Sequence, residues 1–217
     1  WISFVYTGVS RVVTKYRRIV FIAAGILLLF GVLGLLKLEQ KGTMVDDIPH
    51  KDPMYKDLLF FEKHLDGVLP YEISINTNKK NGLTDIKTIQ KIEELQEVLK
   101  SYPEISKPLS YVEVIKFLKQ SFYNGNPEMY SIPSNHERNF IFSYLPNLDS
   151  TGTNNILASY VDDNMQIARV SARLHNLNTK EIDKLNKELK TKIDSIFPPD
   201  KYQVDITGTS VVFLKGS

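Results

Sequence analysis

The sequence contains no cysteine, so disulfide bonds, thiol catalysis and cysteine-based zinc sites are all excluded. It also lacks an excess of charge of either sign: 27 basic and 25 acidic residues give a net charge of +2 over 217 residues. Because no strong overall field attracts nucleic acid, we expect no nucleic-acid partner. Hydrophobic residues make up 42% of the chain and charged residues 24%, which excludes both a disordered polyampholyte and a protein built only of membrane spans.

Motifs for catalysis, metal binding and phosphate binding are also missing. Asp46, Asp47 and His50 are ligand types that metals use, but a solvated turn containing Pro49 is the favoured interpretation. The run 207–210 lacks the glycines and the lysine of a phosphate loop and indicates a turn after a strand. The four histidines show no H-x-x-x-H spacing: they are His50, His64, His136 and His175. We therefore predict that the protein is not an enzyme, and we assign no catalytic, metal-binding or cofactor-binding residues and no cofactor.

One long hydrophobic run is present, from Ile19 to Leu36, with 18 residues and no charge. A helix of this length covers about 27 Å, close to the thickness of the hydrocarbon core of a bilayer. A buried core helix that is apolar on all sides would need a larger protein around it. A cleaved signal peptide usually has a shorter apolar region of about 7–15 residues. The run therefore predicts an uncleaved transmembrane helix, which we assign to 19–38.

The charges beside this run predict its orientation. Four basic residues and no acidic residue precede it, whereas basic and acidic residues are mixed after it. By the positive-inside rule the N-terminus is cytoplasmic. We therefore assign 1–18 as a basic cytoplasmic segment beside the membrane and 39–207 as an extracytoplasmic domain of a protein in the inner or plasma membrane. The basic residues are Arg11, Lys15, Arg17 and Arg18.

The domain begins with a helix pattern followed by a strand pattern. Asp52 with Pro53 is typical of a helix start, and Gly67 is suited to end the helix. Residues 71–76 then alternate between apolar and polar, which predicts a half-buried strand. The apolar positions of the helix are Met54, Leu58, Phe61 and Leu65.

Two further helices are predicted in the middle of the chain. After a turn at Asn81–Gly82, Thr84 is positioned to cap a helix carrying an apolar stripe. Ser110 and Glu113 have the spacing of a capping box for the next helix, which 124–127 ends. The apolar positions are Ile86, Ile89, Ile92, Leu95 and Leu99 in the first, and Val114, Ile115 and Leu118 in the second. Residues 139–145 are apolar on both faces and predict a buried strand, followed by a polar loop over 146–155.

The last third has the clearest pattern, a strand–helix–strand unit. Residues 168–174 and 202–207 alternate as strands, and Asn178 with Glu181 predicts a capping box for the helix between them. Pro198 and the following proline end that helix. We expect the two strands to be parallel and joined by a right-handed crossover. The predicted fold class is α/β: a ferredoxin-like α+β domain of βαβ units, with helices on one face of a small sheet. The helix stripe is Ile182, Leu185, Leu189, Ile193 and Ile196.

Four groups of side chains have both a structural and a functional interpretation. The pairs Asp162–Asp163 and Glu93–Glu94 are predicted to lie in solvent rather than to bind a ligand. Three glycines in the hydrophobic run do not form a G-x-x-x-G pair, although they permit close helix contact. An aromatic cluster near the third helix of the domain either lines an apolar ligand path or, as we favour, packs in the core. The glycines are Gly25, Gly31 and Gly34, and the aromatic residues are Phe117, Phe122, Tyr123 and Tyr130.

The order of several short motifs resembles a known family. Residues 46–53, DDIPHKDP, follow the hydrophobic run, and a helix with Phe60-Phe61-Glu62 precedes 66–73, DGVLPYEI. Pro108-Leu109-Ser110 stands before a helix, and 202–210 reads YQVDITGTS. This order, from about Arg17 to Ser217, resembles the resistance–nodulation–division (RND) exporters, in their MMPL-like, sterol-sensing-domain-like branch. One departure is Asp66-Gly67, where the family often has a glycine pair.

The resemblance implies a place in a larger transporter. In that family each half has one transmembrane helix, then an extracytoplasmic porter domain, then five more helices. The chain resembles the start of the second half, with 19–38 as the seventh helix, 39–207 as the second porter domain and 208–217 as the lead-in to the next helix. The implied function is proton-driven export of hydrophobic or amphiphilic substrates such as lipids or drugs, to which this segment contributes the extracytoplasmic substrate path. The proton-relay acids lie on helices that have no counterpart here.

The implied partners are membrane lipids, a hydrophobic small-molecule or lipid substrate, and the remainder of the exporter, including the first porter domain. We expect hinges near 40–50 and 208–217, with Pro49 and Gly208 as the residues to replace. The alternative is a stand-alone, membrane-anchored extracytoplasmic domain that binds a ligand or interacts within the envelope. No specific substrate-path residue and no oligomeric state is predicted.

Overall fold

The structure is a computed structural model that describes residues 16–36, 48–143 and 157–208. The chain divides into two compact units, Trp1–Lys41 and Gly42–Ser217. In the first unit, α1 (Arg17–Leu36) is long and apolar enough to cross a membrane, and none of its apolar window is buried by protein. The described residues therefore leave α1 uncovered, and it is a candidate membrane span by length and composition.

The second unit contains a mixture of helices and strands. Short 3₁₀ turns lie at Gly82–Thr84, Pro127–Met129 and Leu157–Ser159. The helices and strands are, in chain order, α2 (Pro53–Leu65), β1 (Leu69–Asn76), α3 (Ile86–Lys100), α4 (Tyr111–Phe122), α5 (Asn135–Ser143), β2 (Ile167–Leu174), α6 (Thr179–Ile196) and β3 (Gln203–Thr207).

The three strands form a small antiparallel sheet in the order β2-β1-β3. Ile73 in the central strand lies opposite Val170 on one side and Ile206 on the other. Because β2 and β3 are both antiparallel to β1, they run parallel to each other, as predicted for the last strand–helix–strand unit. They do not pair directly, since β1 lies between them.

The hydrophobic core covers one face of this sheet. Inward residues of the strands, such as Tyr71, Ile75 and Leu174, are fully buried and belong to the same cluster as apolar residues of α3, α4 and α6. The opposite face carries polar side chains, including Glu72 and Arg169, which form an ion pair at 3.3 Å. Alternation along the strands therefore places the helices of the core against one face, in agreement with the period-two pattern of the sequence.

Local capping explains where the helices begin. Asn178 and Glu181 form the predicted capping box of α6. Ser110 caps α4 by accepting the N–H of Val112, without the reciprocal bond of a full box. The prediction that Thr84 caps α3 is wrong, because Thr84 lies in the preceding 3₁₀ turn and Asp85 accepts the N–H of Lys87 at 3.1 Å.

The strand predicted over 139–145 is also wrong, because α5 occupies Asn135–Ser143. The Glu137 carboxylate accepts the backbone N–H of Ser134 at 2.7 Å, which satisfies a free donor at the start of this helix. Only Ile141 of this helix is buried. Among the described residues before β2, β1 is the one strand, so residues 48–143 do not repeat the βαβ plan. Tyr144, Leu145 and the predicted loop 146–155 lie outside the described residues.

Candidate functional site

The residue types that most often carry chemistry are not brought together. His50 and His64 each contact a neighbouring ring, and the backbone N–H of His175 donates to the carbonyl of Glu104 at 3.0 Å. Within 16–36, 48–143 and 157–208, no three histidine or acidic side chains are placed to hold a metal ion. Asp46 and Asp47, considered with His50 as metal ligands, lie outside the described residues, as do Thr209 and Ser210.

Two acidic residues predicted to lie in solvent have structural partners instead. Glu93 forms an ion pair with the buried Lys116. The carboxylate of Asp162 accepts the N–H groups of Gln166 and Ile167, each at 2.7 Å, before β2 begins. Although burial opposes the shift, these donors lower the pKa of Asp162. Asp162 and Glu93 are thus partly exposed and have protein partners, whereas Asp163 and Glu94 are exposed as expected.

The aromatic cluster is exposed, so the favoured prediction of core packing is wrong. Phe122 is 45% exposed, Tyr123 37% and Tyr130 41%. Phe122 packs against Tyr123 at a ring distance of 5.1 Å and against Phe140 at 4.3 Å. Phe122, Tyr123 and Phe140, which are in ring contact, and the exposed Tyr130, which has no ring contact with them, are together called the aromatic surface below.

Phe117 does not belong to this surface. At 3.6 residues per turn it projects about 140° away from Phe122 around α4. It is 60% exposed and has no ring contact with any described residue. One predicted member of the cluster is thus separated from the others, and Phe140 is a member that the sequence did not indicate.

An ionic network supports the aromatic surface from beneath. Lys116 and Lys119 lie on the inner side of α4 and are each only 8% exposed. The Lys119 ammonium lies 3.2 Å from the Glu137 carboxylate and also donates to the carbonyl of Ile132 at 3.3 Å. The Lys116 ammonium contacts Glu93 and lies 3.6 Å from Glu113. Since buried charges are tolerated only when paired, these contacts hold α4 against α3 and α5.

The hydroxyl groups of two tyrosines connect the aromatic surface to this network. Tyr123 donates to Glu137 at 2.8 Å, and Tyr130 donates to Glu113. The Lys116 ammonium also lies 5.8 Å from the centre of the Tyr130 ring. Each tyrosine is therefore held at its hydroxyl end, while Tyr123 and Tyr130 remain 37% and 41% exposed. Such fixed amphipathic rings are the residue type that commonly forms binding surfaces.

The network shifts the pKa values of its members. The backbone N–H of Ser134 is the main cause that lowers the pKa of Glu137 to about 2, and Tyr123 and Lys119 contribute further donors. Burial, followed by the hydrogen bond to Glu113, raises the pKa of Tyr130 to about 12. The hydrogen bond to Glu137 raises the pKa of Tyr123. At neutral pH Glu137 is therefore a carboxylate, and Tyr123 and Tyr130 are neutral phenols.

A second exposed apolar surface lies on α2. Met54, Phe61 and Leu65 are 58%, 47% and 44% exposed, and no residue of this helix is buried. The contacts of α2 to the rest of the domain include a bond from the N–H of Asn176 to Glu62 and one from Arg173 to the Leu65 carbonyl. The predicted amphipathic helix is thus present, but its apolar stripe faces away from the core.

The sequence matches no protein-family model, and a search of curated proteins finds no significant match. The fold and these two exposed surfaces are therefore the basis for the function proposed below.

Proposed function

We propose that this chain is part of a proton-driven membrane exporter of hydrophobic or amphiphilic molecules, and that its mixed domain contributes to the extracytoplasmic substrate path. The observation that carries the proposal is the aromatic surface, which presents open apolar rings on a domain that follows a candidate transmembrane helix. A path for apolar molecules needs apolar contact area. The hydroxyl groups of Tyr123 and Tyr130 add polar groups beside that area, which suits amphiphilic molecules. The resemblance to RND exporters supports the same assignment.

The proposal includes a fold and a location. The antiparallel sheet with helices against one face is compatible with a ferredoxin-like porter domain, in which β2, α6 and β3 supply one split βαβ unit. The positive-inside rule supports a cytoplasmic N-terminus and an extracytoplasmic domain. The coupling of proton flow to export would be carried by other helices of the exporter, and the mixed domain would move as a rigid body.

The decisive experiment compares matched phenylalanine variants in dye export. Cells producing the whole native protein are loaded with the hydrophobic dye N-phenylnaphthylamine, and its efflux is followed by fluorescence. We expect Phe122→Ser with Phe140→Ser to slow efflux several-fold, because the apolar contact area of the aromatic surface is lost. Phe117→Ser is the control: it removes the same side chain from α4, outside the aromatic surface. Equal efflux from all three proteins would overturn the proposal.

The alternative is a membrane-anchored domain that interacts with another envelope component or ligand. The exposed stripe of α2 favours it, because an amphipathic helix with an uncovered apolar face is a common docking element. The mass of the native gene product in its own membranes separates the two functions. A product several times larger than 24.9 kDa supports the exporter. A product of that mass would have no relay helices, and the anchored domain would then be the function to test.

A further inference from the structure

A polar cleft of about 330 Å³ opens at the end of the sheet where β1 finishes and β3 begins. Three cationic side chains line it, those of Lys79, Arg138 and Lys201, against the single carboxylate of Asp85. The hydroxyl-bearing residues Thr77, Thr84, Thr88 and Tyr202 complete most of the remaining wall. The lining residues are called the cationic cleft below. Their composition favours an anionic ligand.

The cations of this cleft are not neutralised by the protein. Across 16–36, 48–143 and 157–208, the ammonium groups of Lys79 and Lys201 form no ion pair or hydrogen bond, and these residues accept only through their backbone carbonyls. The Arg138 guanidinium contacts the amide oxygen of Asn139 at 3.2 Å, which is a neutral acceptor. Asp85, the one carboxylate, already accepts the N–H of Lys87 as the cap of α3. The cleft therefore has charge and donors to offer to a ligand.

Thr88 provides an independent indication of a ligand. It lies in the first turn of α3, is only 3% exposed, and lines the cleft. Its hydroxyl forms no hydrogen bond with any described residue. Its oxygen is not among the fully enclosed unpartnered atoms of the described residues, so the hydroxyl is accessible to a ligand oxygen in the cleft and has a donor to offer it. The N-terminal end of α3 adds a favourable dipole for negative charge at the same place.

The cleft is built by a fixed loop rather than by free side chains. The N–H groups of Asn81 and Leu83 donate to the carbonyls of Asn164 and Met165 at 2.9 and 3.0 Å. The Asn78 amide donates to the Lys201 carbonyl at 3.4 Å, which links the two lysine-bearing loops. A Cβ atom on Gly82 would collide with Thr77, so this position needs glycine to keep the loop closed. The lysine-bearing backbone is thus in place before any ligand arrives.

We propose that the cationic cleft binds a phosphate group, either as free phosphate or as the headgroup of an anionic phospholipid. Several oxygens at one centre match three cations and a hydroxyl better than the two oxygens of a carboxylate do. This site does not depend on the proposed export function. Loss of phosphate binding without a change in dye efflux would separate the two.

The test uses isothermal titration of the full chain in detergent with inorganic phosphate at constant ionic strength. We expect saturable binding that weakens about tenfold or more when Lys79 and Lys201 are both replaced by Ala, because two charge-assisted contacts are lost. Thr88→Val, which keeps the side-chain volume, should weaken binding several-fold. Lys80→Ala is the matched control, because Lys80 is exposed beside Lys79 but does not line the cleft. The phosphate affinity of this variant should equal that of the native chain.

Nanodiscs distinguish the two sources of the phosphate group. If the ligand is a headgroup, phosphatidic acid in the disc should compete with inorganic phosphate in the native chain, and phosphatidylcholine should not. Equal phosphate affinity in both discs would identify the free anion. Absence of saturable binding, or equal weakening by Lys80→Ala and the double variant, would overturn the proposal. If the double variant fails to fold, unchanged phosphate affinity in Thr88→Val would overturn it.

Discussion

At the scale of single residues, Gly208 follows β3 directly and has a backbone conformation that favours glycine. Its φ of +107° is one that other residues rarely adopt, and a Cβ atom there would lie 2.7 Å from the Pro70 carbonyl oxygen. We expect Gly208→Ala to lower the free energy of unfolding by about 2–4 kcal/mol, because it combines backbone strain with a backbone collision. Denaturant unfolding of the full chain in detergent measures the change.

Gly125→Ala is the control for this prediction. Gly125 also has a positive φ, +78°, but no atom lies within 4 Å of an added Cβ. Its replacement should cost only the conformational part, about 1 kcal/mol. Equal losses in the two variants would show that the contact with Pro70 plays no part. The same pair of variants tests whether the role predicted for Gly208 in export exceeds its role in stability.

Glu137 gives the domain a pH-dependent contribution to stability. Its pKa is about 2 in the folded chain and 4.5 as the ordinary value, so the folded state favours the carboxylate. The contribution is therefore fully present above pH 4.5 and is lost as the pH falls towards 2. We expect Glu137→Gln to be less stable than the native chain at neutral pH, since Lys119 loses its counter-charge. Thermal unfolding should show this difference shrinking between pH 4.5 and 2.

The control for Glu137 is an exposed pair elsewhere. Asp183 and Lys187 lie 2.6 Å apart on α6, and both side chains are more than half exposed. Asp183→Asn should change the unfolding temperature little at any pH, because exposed pairs contribute little. A difference between native and Glu137→Gln chains that does not vary with pH would contradict the assignment of a lowered pKa to Glu137.

At the scale of elements, α2 and α6 have similar patterns but different packing. Leu189 of α6 is fully buried, whereas Phe61 of α2 is 47% exposed. We expect Phe61→Ser to change the free energy of unfolding by less than about 0.5 kcal/mol. Leu189→Ala should cost about 2–5 kcal/mol, because it leaves a cavity in the core. Denaturant unfolding compares the two, and a large loss for Phe61→Ser would show that α2 is packed in solution.

Capping and periodicity predicted the elements whose local signals are unambiguous. The capping box of α6 and the alternation of β2 and β3 are present as the sequence indicates. The segment 139–143 was predicted as a strand, because three consecutive apolar residues fit a buried strand and a helix equally well. The spacing of Ser134 and Glu137 is typical of a helix start, and this signal would have favoured the helix over the strand. Thr84 and Asp85 are adjacent capping residues, and sequence does not choose between them.

The surfaces were less predictable because they depend on tertiary contacts. Lys116 and Lys119 look like solvent-facing residues in the sequence, and only the neighbouring Glu93 and Glu137 explain why they are buried. The cationic cleft combines segments far apart in the chain, so no local pattern indicates it. The aromatic surface includes Phe140 of α5, a segment that was predicted to be a strand. Local chemistry therefore predicted elements better than it predicted which of their faces remain open.

At the scale of the whole molecule, the absence of cysteine makes the orientation in the membrane directly measurable. Any single cysteine substitution gives a protein with one thiol. Lys184→Cys places it on an exposed side of α6, where the native side chain is 80% exposed and its pair with Glu188 contributes little. Ser10→Cys places it before the basic residues that precede α1.

We expect a membrane-impermeant maleimide to label Lys184→Cys in cells whose outer barrier has been opened, and to label Ser10→Cys only after the inner membrane is permeabilised. The reason is electrostatic: four basic residues precede α1 without an acidic residue, and such segments stay on the cytoplasmic side. The native chain is the control, since it has no thiol. The reverse labelling pattern would place the mixed domain in the cytoplasm. The aromatic surface would then lie on the wrong side of the membrane for the proposed path, and the proposal of an extracytoplasmic function would fail together with the orientation.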